Sequence, residues 1–127
     1  MSDRLVETAR AAMARAYAPY SRFRVGAALE TEDGTVVAGC NVENASFGAT
    51  LCAERNAVAQ MIAAGERRPV ACAVVTAGPR AGSPCGICRQ VLWEFASDMR
   101  IALVAENGRR RDTTLVKLLP DGFRLSR

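Results

Sequence analysis

Two short segments of the chain carry the residue types best suited to chemistry. They are Cys52-Ala53-Glu54-Arg55 and Pro84-Cys85-Gly86-Ile87-Cys88, and each stands at the start of a predicted helix. Cys85 and Cys88 are three residues apart, so their sulfurs face the same way on a first helical turn. Cys52 and Glu54 can share a target only if it lies beyond the helix N-terminus. We expect both helix starts to face one metal ion, because helix N-termini stabilise thiolates.

Zinc is the metal that suits this set, because it takes thiolates in tetrahedral geometry and the chain contains no histidine. Three thiolates leave the fourth position for water, which is typical of a catalytic zinc site. They also make the site negative, and Arg55, three residues after Cys52, is expected to donate to the ligand sulfurs and offset that charge. Glu54, which is not a ligand here, matches the general acid/base of the zinc-deaminase signature.

The composition narrows the class of protein. A chain of 127 residues, half of them apolar and 24% charged, predicts one folded domain over residues 1–127 and excludes intrinsic disorder. We expect a cytoplasmic protein, because no stretch is apolar enough for a membrane helix or a signal peptide. Five cysteines without such a signal disfavour a disulfide framework. The net charge of +4 is too small to indicate a nucleic-acid partner.

Alternating strand and helix patterns around the two motifs predict an α/β protein. Four helices are predicted. The first begins at Ser2 or Asp3 and stops before Pro19, the second and third cover 52–64 and 85–96, and a short last helix runs from Thr114 to Leu119. Predicted strands cover 25–29, 36–40, 70–75 and 101–105, and the first two form an antiparallel hairpin. The run Arg109-Arg110-Arg111 is expected at a solvated hairpin tip. Cys40 and Cys72, on strands, are expected to be buried thiols.

Five blocks in order resemble the small homotetrameric cytidine deaminases over nearly the whole chain. They cover residues 20–29, 41–46, 51–55, 83–90 and 118–123. The resemblance implies a three-layer α/β/α sandwich around a five-stranded mixed sheet, and a homotetramer with one zinc ion per subunit. It implies hydrolysis of cytidine and deoxycytidine to uridine and deoxyuridine, with ammonia released from a reaction with a zinc-activated water.

The same resemblance implies roles for single residues. The zinc ligands are Cys52, Cys85 and Cys88, and Glu54 is the proton shuttle. The ribose hydroxyls bind Asn41 and Glu43, the pyrimidine ring packs on Phe23, and the base edge meets the backbone of Ala53 and Ser83. Positions near the substrate site of the same or a neighbouring subunit are Ala45, Phe47 and Phe123. Phe47 stands where the family usually has tyrosine, so one hydroxyl is lost.

Other functions fit part of the pattern. Deamination of a related cytosine nucleoside such as blasticidin S is one, although a carboxylate aimed at a ribose, Glu43, suits a plain nucleoside. A polynucleotide deaminase would need a row of aromatic residues in its loops to stack single-stranded bases, and the predicted loops contain no such row. A structural zinc module would need a fourth ligand, from Cys40 or Cys72, and would leave Glu54 without a role. A thiol oxidoreductase would use Cys85 and Cys88.

Overall fold

The computed structural model describes residues 3–126, and a mixed sheet lies at its centre. Its elements are α1 (Asp3–Met13), β1 (Val25–Thr31), β2 (Val36–Cys40), α2 (Ala53–Ala63), β3 (Pro69–Thr76), α3 (Gly86–Trp93), β4 (Arg100–Ala105), β5 (Arg110–Thr114) and α4 (Leu115–Leu118). A 3-10 turn at Phe47–Ala49 interrupts the loop before α2. Within residues 3–126, no helix is long and apolar enough to cross a membrane.

Two predicted helices are shorter than expected. α1 ends at Met13 instead of continuing towards Pro19, because the chain turns there and the N–H of Tyr17 donates to the carbonyl of Asn41. α3 ends at Trp93 rather than at residue 96. At the start of α1, Asp3 lies inside the helix and the alternative cap, Ser2, lies outside the described residues.

The five strands are ordered β2-β1-β3-β4-β5, with β3 and β4 parallel and every other pair antiparallel. This arrangement confirms the α/β sandwich with a five-stranded mixed sheet. The residue pattern did not predict β5, because its side chains are polar and show no apolar alternation. The three arginines are exposed, as predicted, but Arg110 and Arg111 lie in β5, where they pair with Val104 and Leu103, and not at the hairpin tip.

Helices cover both faces of the sheet. On one face, α1 buries an apolar stripe against small strand residues such as Ala28 and Ala73. On the other, α2 and α3 pack on Leu29, Val74 and their neighbours. Helix α1 lies very close to strand β1, since a Cβ on Gly26 would lie 2.0 Å from the carbonyl oxygen of Ala9.

This topology places both cysteine-containing motifs at the same end of the central strands of the sheet. Val25, at the start of β1, pairs with Thr76, at the end of β3. The loop after β3 leads into α3, and the loop after β2 leads into α2. Both helices consequently begin beside the end of the sheet where Val25 of β1 pairs with Thr76 of β3.

Candidate active site

The three cysteines predicted as ligands converge in the structure. Cys52 is the N-cap residue of α2, Cys85 is the N-cap residue of α3, and Cys88 lies in the first turn of α3. Their sulfur atoms all lie within 4.8 Å of one another. A tetrahedral zinc ion with Zn–S bonds of about 2.3 Å holds its sulfurs about 3.8 Å apart. The three side chains therefore need little movement to hold one ion.

The guanidinium group of Arg55 lies beside this cluster and donates a hydrogen bond to one of its sulfurs. Its Nη2 donates to the Cys52 sulfur at 3.5 Å and to the Thr50 carbonyl oxygen at 3.0 Å. Its Nε is buried and has no hydrogen-bond partner within residues 3–126. The hydrogen bond with Cys52 raises the pKa of the arginine further. A fixed positive charge and a spare donor suit a cluster of thiolates, so the residues fit a zinc ion.

The thiols of the cluster differ in their readiness to ionise. A hydrogen bond from the Cys88 thiol and the neighbouring Arg55 lower the pKa of Cys52 to about 5, although burial opposes the shift. The same contact with Cys52, together with burial, raises the pKa of Cys88. The N-terminal end of α2 also favours a negative charge at Cys52. Of Cys52 and Cys88, Cys52 is therefore the thiol that ionises more readily.

Glu54 lies in the first turn of α2 and lines the same cavity as Cys52. Its side chain is buried, with 6% of the residue exposed. Burial raises its pKa to about 7, and the neighbouring Cys52 adds to the shift while Arg55 opposes it. A carboxyl group with such a pKa can both accept and donate a proton near neutral pH, as a general acid/base requires.

The cavity beside these residues has a volume of about 280 Å³. It collects most of the predicted substrate-binding residues, namely Phe23, Asn41, Glu43, Ala53 and Ser83. The sequence did not single out several further lining residues, which are Ser21, Val25, Thr50, Val74, Thr76 and Gly82. Among the described residues that line it, none is a lysine or an arginine. The acidic groups of the lining include the carboxyl groups of Glu43 and Glu54 and the Cys52 thiol.

Asn41 and Glu43 are held firmly at one side of the cavity. The Asn41 amide nitrogen donates to the Phe23 carbonyl oxygen at 2.8 Å, and its oxygen accepts from the Val25 N–H at 2.9 Å. Glu43 accepts from the N–H groups of Tyr20 and Ser21 at 2.9 and 3.1 Å. Both side chains keep hydrogen-bonding capacity beyond these contacts.

Ser21 is a functional contact that sequence reasoning missed. Its hydroxyl donates to the second carboxylate oxygen of Glu43 and accepts from the Phe23 N–H at 3.0 Å. The hydrogen bonds that Glu43 accepts from the Ser21 hydroxyl and from the N–H groups of Ser21 and Tyr20 lower its pKa, so the carboxylate stays ionised. The next residue, Arg22, has a positive φ of 58°, which marks a tight turn between Ser21 and Phe23. The sequence signal was a serine in a short polar segment two residues before the predicted ring contact.

Thr76, also missed, organises the loop that leads to α3. Its hydroxyl accepts from the Gly82 N–H at 2.9 Å and donates to the Arg80 carbonyl oxygen at 3.3 Å. A Cβ on Gly82 would lie 2.9 Å from the Thr76 methyl carbon. The loop therefore folds tightly against the end of β3 before it reaches Ser83.

Three of the predicted substrate-site residues do not line the cavity of this chain. Ala45, Phe47 and Phe123 are all exposed, with Phe47 76% and Phe123 64% accessible. The Phe47 ring makes an edge contact with Tyr20, at 6.1 Å between ring centroids. Their assignment to a boundary shared with another subunit stays a prediction.

The two remaining cysteines lie outside the metal cluster. The potential metal-binding group within residues 3–126 contains Cys52, Cys85 and Cys88. Cys72 is buried, as predicted, whereas Cys40 is half-buried at the end of β2. The structure therefore offers no fourth cysteine ligand among the described residues.

Comparison with known proteins gives concordant matches. The family model described as the cytidine and deoxycytidylate deaminase zinc-binding region matches residues 1–105. A cytidine deaminase of Sporosarcina psychrophila is 46% identical over 124 residues, which cover 95% of this chain and 90% of that protein. A crystal structure of cytidine deaminase from Burkholderia pseudomallei superposes with a TM-score of 0.91 at 48% identity, covering 97% of this chain and all of the other. A blasticidin-S deaminase of Bacillus cereus is 29% identical, covering 79% of this chain and 76% of that protein.

Proposed function

The chain belongs to the cytidine and deoxycytidylate deaminase family, and from this premise we propose that it hydrolyses cytidine and deoxycytidine to uridine and deoxyuridine, releasing ammonia. It is a zinc-dependent hydrolytic deaminase. The observation that carries the proposal is the placement of a three-cysteine cluster and a buried carboxyl group, Glu54, at one cavity. An acid/base group beside an open metal site is the arrangement that hydrolytic deamination needs.

The residues of the chain divide the reaction between them. Cys52, Cys85 and Cys88 would hold a zinc ion, which would activate the attacking water. Glu54 takes a proton from that water and delivers it to the ring nitrogen N3, which makes C4 more electrophilic. The water oxygen forms a bond to C4, and Glu54 then takes the second proton from that oxygen and transfers it to the leaving amino group. The C4–N bond breaks, ammonia departs, and the water oxygen remains as the carbonyl of uridine.

The charges of the cavity favour a nucleoside over a nucleotide. A deoxycytidylate substrate would bring a phosphate group into the site. The described lining offers two carboxylates and no lysine or arginine to receive it. Glu43 is kept ionised by Ser21, and its negative charge would repel a phosphate group. An unphosphorylated sugar fits this electrostatic environment.

We assign different lining residues to the sugar and to the base. The Glu43 carboxylate would accept hydrogen bonds from the ribose hydroxyls, and the Asn41 amide would donate to them or accept from them. Phe23, 46% exposed and in the cavity lining, offers its ring to the pyrimidine. The backbone of Ala53 and Ser83, close to the cysteines, would contact the base edge. This orientation directs C4 of the base towards the metal cluster.

Ultraviolet absorbance gives the direct test. Purified protein is mixed separately with cytidine, deoxycytidine, deoxycytidylate and blasticidin S, with Glu54→Gln as the inactive control. We expect turnover of the first two substrates and little of the others. The similarity to a blasticidin-S deaminase keeps that antibiotic as the second candidate. Turnover of blasticidin S well above that of cytidine would overturn the assignment of Glu43 to a ribose.

We further propose that the active form is a homotetramer. The supporting feature is a set of exposed apolar side chains, among them Phe47, Phe123 and Leu125. Burying such side chains against another subunit is favourable by roughly 25 cal/mol per Å². Because Phe47 lacks the usual hydroxyl, its contact would be apolar and tolerant of salt. Light scattering across a dilution series, read with specific activity, tests this; a fully active monomer would contradict it.

A cytoplasmic location is proposed on the state of the thiols. All five cysteines are free in the structure. Cysteine ligands must stay reduced to bind zinc, and the cytosol keeps thiols reduced. Fractionation of cells that express the tagged protein tests this location.

A further inference from the structure

Arg89, in the middle of α3, makes three hydrogen bonds with one guanidinium group. Its Nε donates to the Pro84 carbonyl oxygen at 2.8 Å, its Nη2 to the Ser83 hydroxyl at 2.8 Å, and its Nη1 to the Leu118 carbonyl oxygen at 2.6 Å. All three acceptors are uncharged oxygens. A planar fork can reach partners in three directions, which the single ammonium group of a lysine cannot do with the same geometry.

Two of these bonds hold the segment that delivers a proposed metal ligand. Pro84 immediately precedes Cys85, so its carbonyl belongs to the peptide unit that orients Cys85. Pro84 is itself buried, so packing also holds this peptide, whereas Cys85 and the two residues that follow it, Gly86 and Ile87, are exposed. Arg89 therefore adds a directed hydrogen bond to the peptide before Cys85, at the point where packing ends.

The third bond joins this segment to the end of the chain. Leu118 is the last residue of α4, and the final carbonyls of a helix have no partner within the helix. Other residues of α3 also hold the C-terminal segment: Gln90 donates to the Phe123 carbonyl oxygen at 2.9 Å, and the Trp93 ring lies 5.5 Å from the Arg124 guanidinium. Arg89 differs from Gln90 and Trp93 because it also holds Ser83 and Pro84.

We propose that Arg89 is a positioning residue: it holds the 83–85 segment against the C-terminal segment, so that Cys85 keeps its ligand geometry and the Ser83 backbone keeps its place at the cavity. The inference rests on the proposed function, because that function makes Cys85 a zinc ligand and Ser83 a base contact. Metal affinity and substrate use then both depend on Arg89, a side chain that contacts neither the metal nor the substrate.

The test compares Arg89→Ala and Arg89→Lys with a matched control, Gln90→Ala, which loosens the same C-terminal segment from the same helix without touching the 83–85 segment. Each protein is prepared with Co²⁺, whose absorption bands report the geometry of the thiolate site, and zinc affinity is measured by competition with a chelator. Loss of a residue that orients a metal ligand typically lowers metal affinity or activity about 10–100-fold.

We expect both Arg89 variants to show shifted cobalt bands, zinc affinity lowered about 10–100-fold and a reduced kcat/KM for cytidine. Gln90→Ala should keep the parent spectrum and affinity. A folded Arg89→Ala protein with unchanged bands and affinity would overturn the proposal, as would equal changes in Gln90→Ala.

If Arg89→Ala fails to fold, Ser83→Ala provides the second variant, because it removes one of the three bonds and leaves the backbone intact. It should shift the cobalt bands in the same direction by a smaller amount, and an unchanged spectrum would count against the proposal. The spectra and zinc affinities do not depend on which nucleoside is deaminated. A protein inactive on cytidine would therefore refute the proposed function while the role of Arg89 is still judged from the metal site.

Discussion

The starts of α2 and α3 are built alike but surrounded differently. Each helix has an extended cysteine as its N-cap residue, with φ and ψ of −71° and 153° at Cys52 and −66° and 168° at Cys85. Each also has an arginine that reaches back to a carbonyl of the preceding loop: Arg55 to Thr50 and Arg89 to Pro84. The start of α2 is packed into the core, whereas the start of α3 lies at the surface.

The difference places the proton chemistry on α2. The second residue after the N-cap is Glu54 in α2 and Ile87 in α3, and their exposed fractions are 6% and 63%. A carboxyl group gains a pKa near 7 only where water is kept away from its charge, as at Glu54. The same position on α3 could not provide this. One helix start can therefore supply two ligands and the other a ligand with an acid/base group.

The largest expected effect follows from replacing Glu54 with Gln. Turnover of cytidine should fall by about 10⁴-fold or more, at or beyond the upper end for general acid/base groups. Zinc should remain bound, because Glu54 is not a ligand. Ile87→Ala, the matched change on α3, should alter turnover by no more than a few-fold. Stopped absorbance assays with metal analysis check both, and near-normal turnover in Glu54→Gln would refute the mechanism.

Removing a ligand from either helix start should have the next largest effect. Cys85→Ala and Cys88→Ala should each lose zinc, activity and thermal stability, since metal-binding free energy adds to folding. Cys88→Ala should be the less stable of the two, because Cys88 is fully buried and its loss leaves a cavity. Cys40→Ala serves as the control and should keep its zinc. Full zinc occupancy in either ligand variant would show that the ligands are misassigned.

Arg55→Gln tests how α2 compensates the charge of the thiolates. Hydrogen bonds to charged groups contribute about 1.5–3 kcal/mol, and 1.4 kcal/mol corresponds to about a tenfold change. We therefore expect kcat to fall about 10–100-fold while zinc stays bound. The two arginines should then differ, with Arg89 variants changing metal affinity and Arg55→Gln changing mainly the rate. Identical profiles for the two would remove the distinction drawn between the helix starts.

Glu43→Gln should leave both helix starts intact and have the smallest effect. Its zinc content should match that of the parent protein, because Glu43 is not one of the proposed metal ligands. We expect kcat/KM for cytidine to fall about tenfold, equivalent to 1.4 kcal/mol, with little change for free cytosine. Ser21→Ala, which removes one of the bonds to Glu43, should show a smaller loss of the same kind. Equal losses for cytidine and cytosine would argue against a ribose contact.

Much of the fold could be predicted from local patterns. The second hairpin strand has the predicted limits, Val36–Cys40, and α2 ends close to the predicted glycine, Gly65, whose φ is 86°. The strand β5 could not be predicted from its own residues, since a polar edge strand is held by its neighbour β4 rather than by burial. The early end of α1 likewise depends on a contact with Asn41, far along the chain.

The candidate site likewise has features that local sequence patterns predicted and features that depend on contacts between distant segments. Residue types and short spacings were enough to predict a cluster of three thiolates with Arg55 beside it, because ligand chemistry and helical periodicity act within a few residues. The acid/base role of Glu54 came from the match to the zinc-deaminase signature. The convergence of Cys52 with Cys85 was expected from the chemistry of the ligands, whereas the hydrogen bond of Ser21 to Glu43 and that of Arg89 to Leu118 join distant segments that no residue pattern indicated. Packing of helices on a shared sheet edge brings such segments together, and no local pattern records which of them will meet.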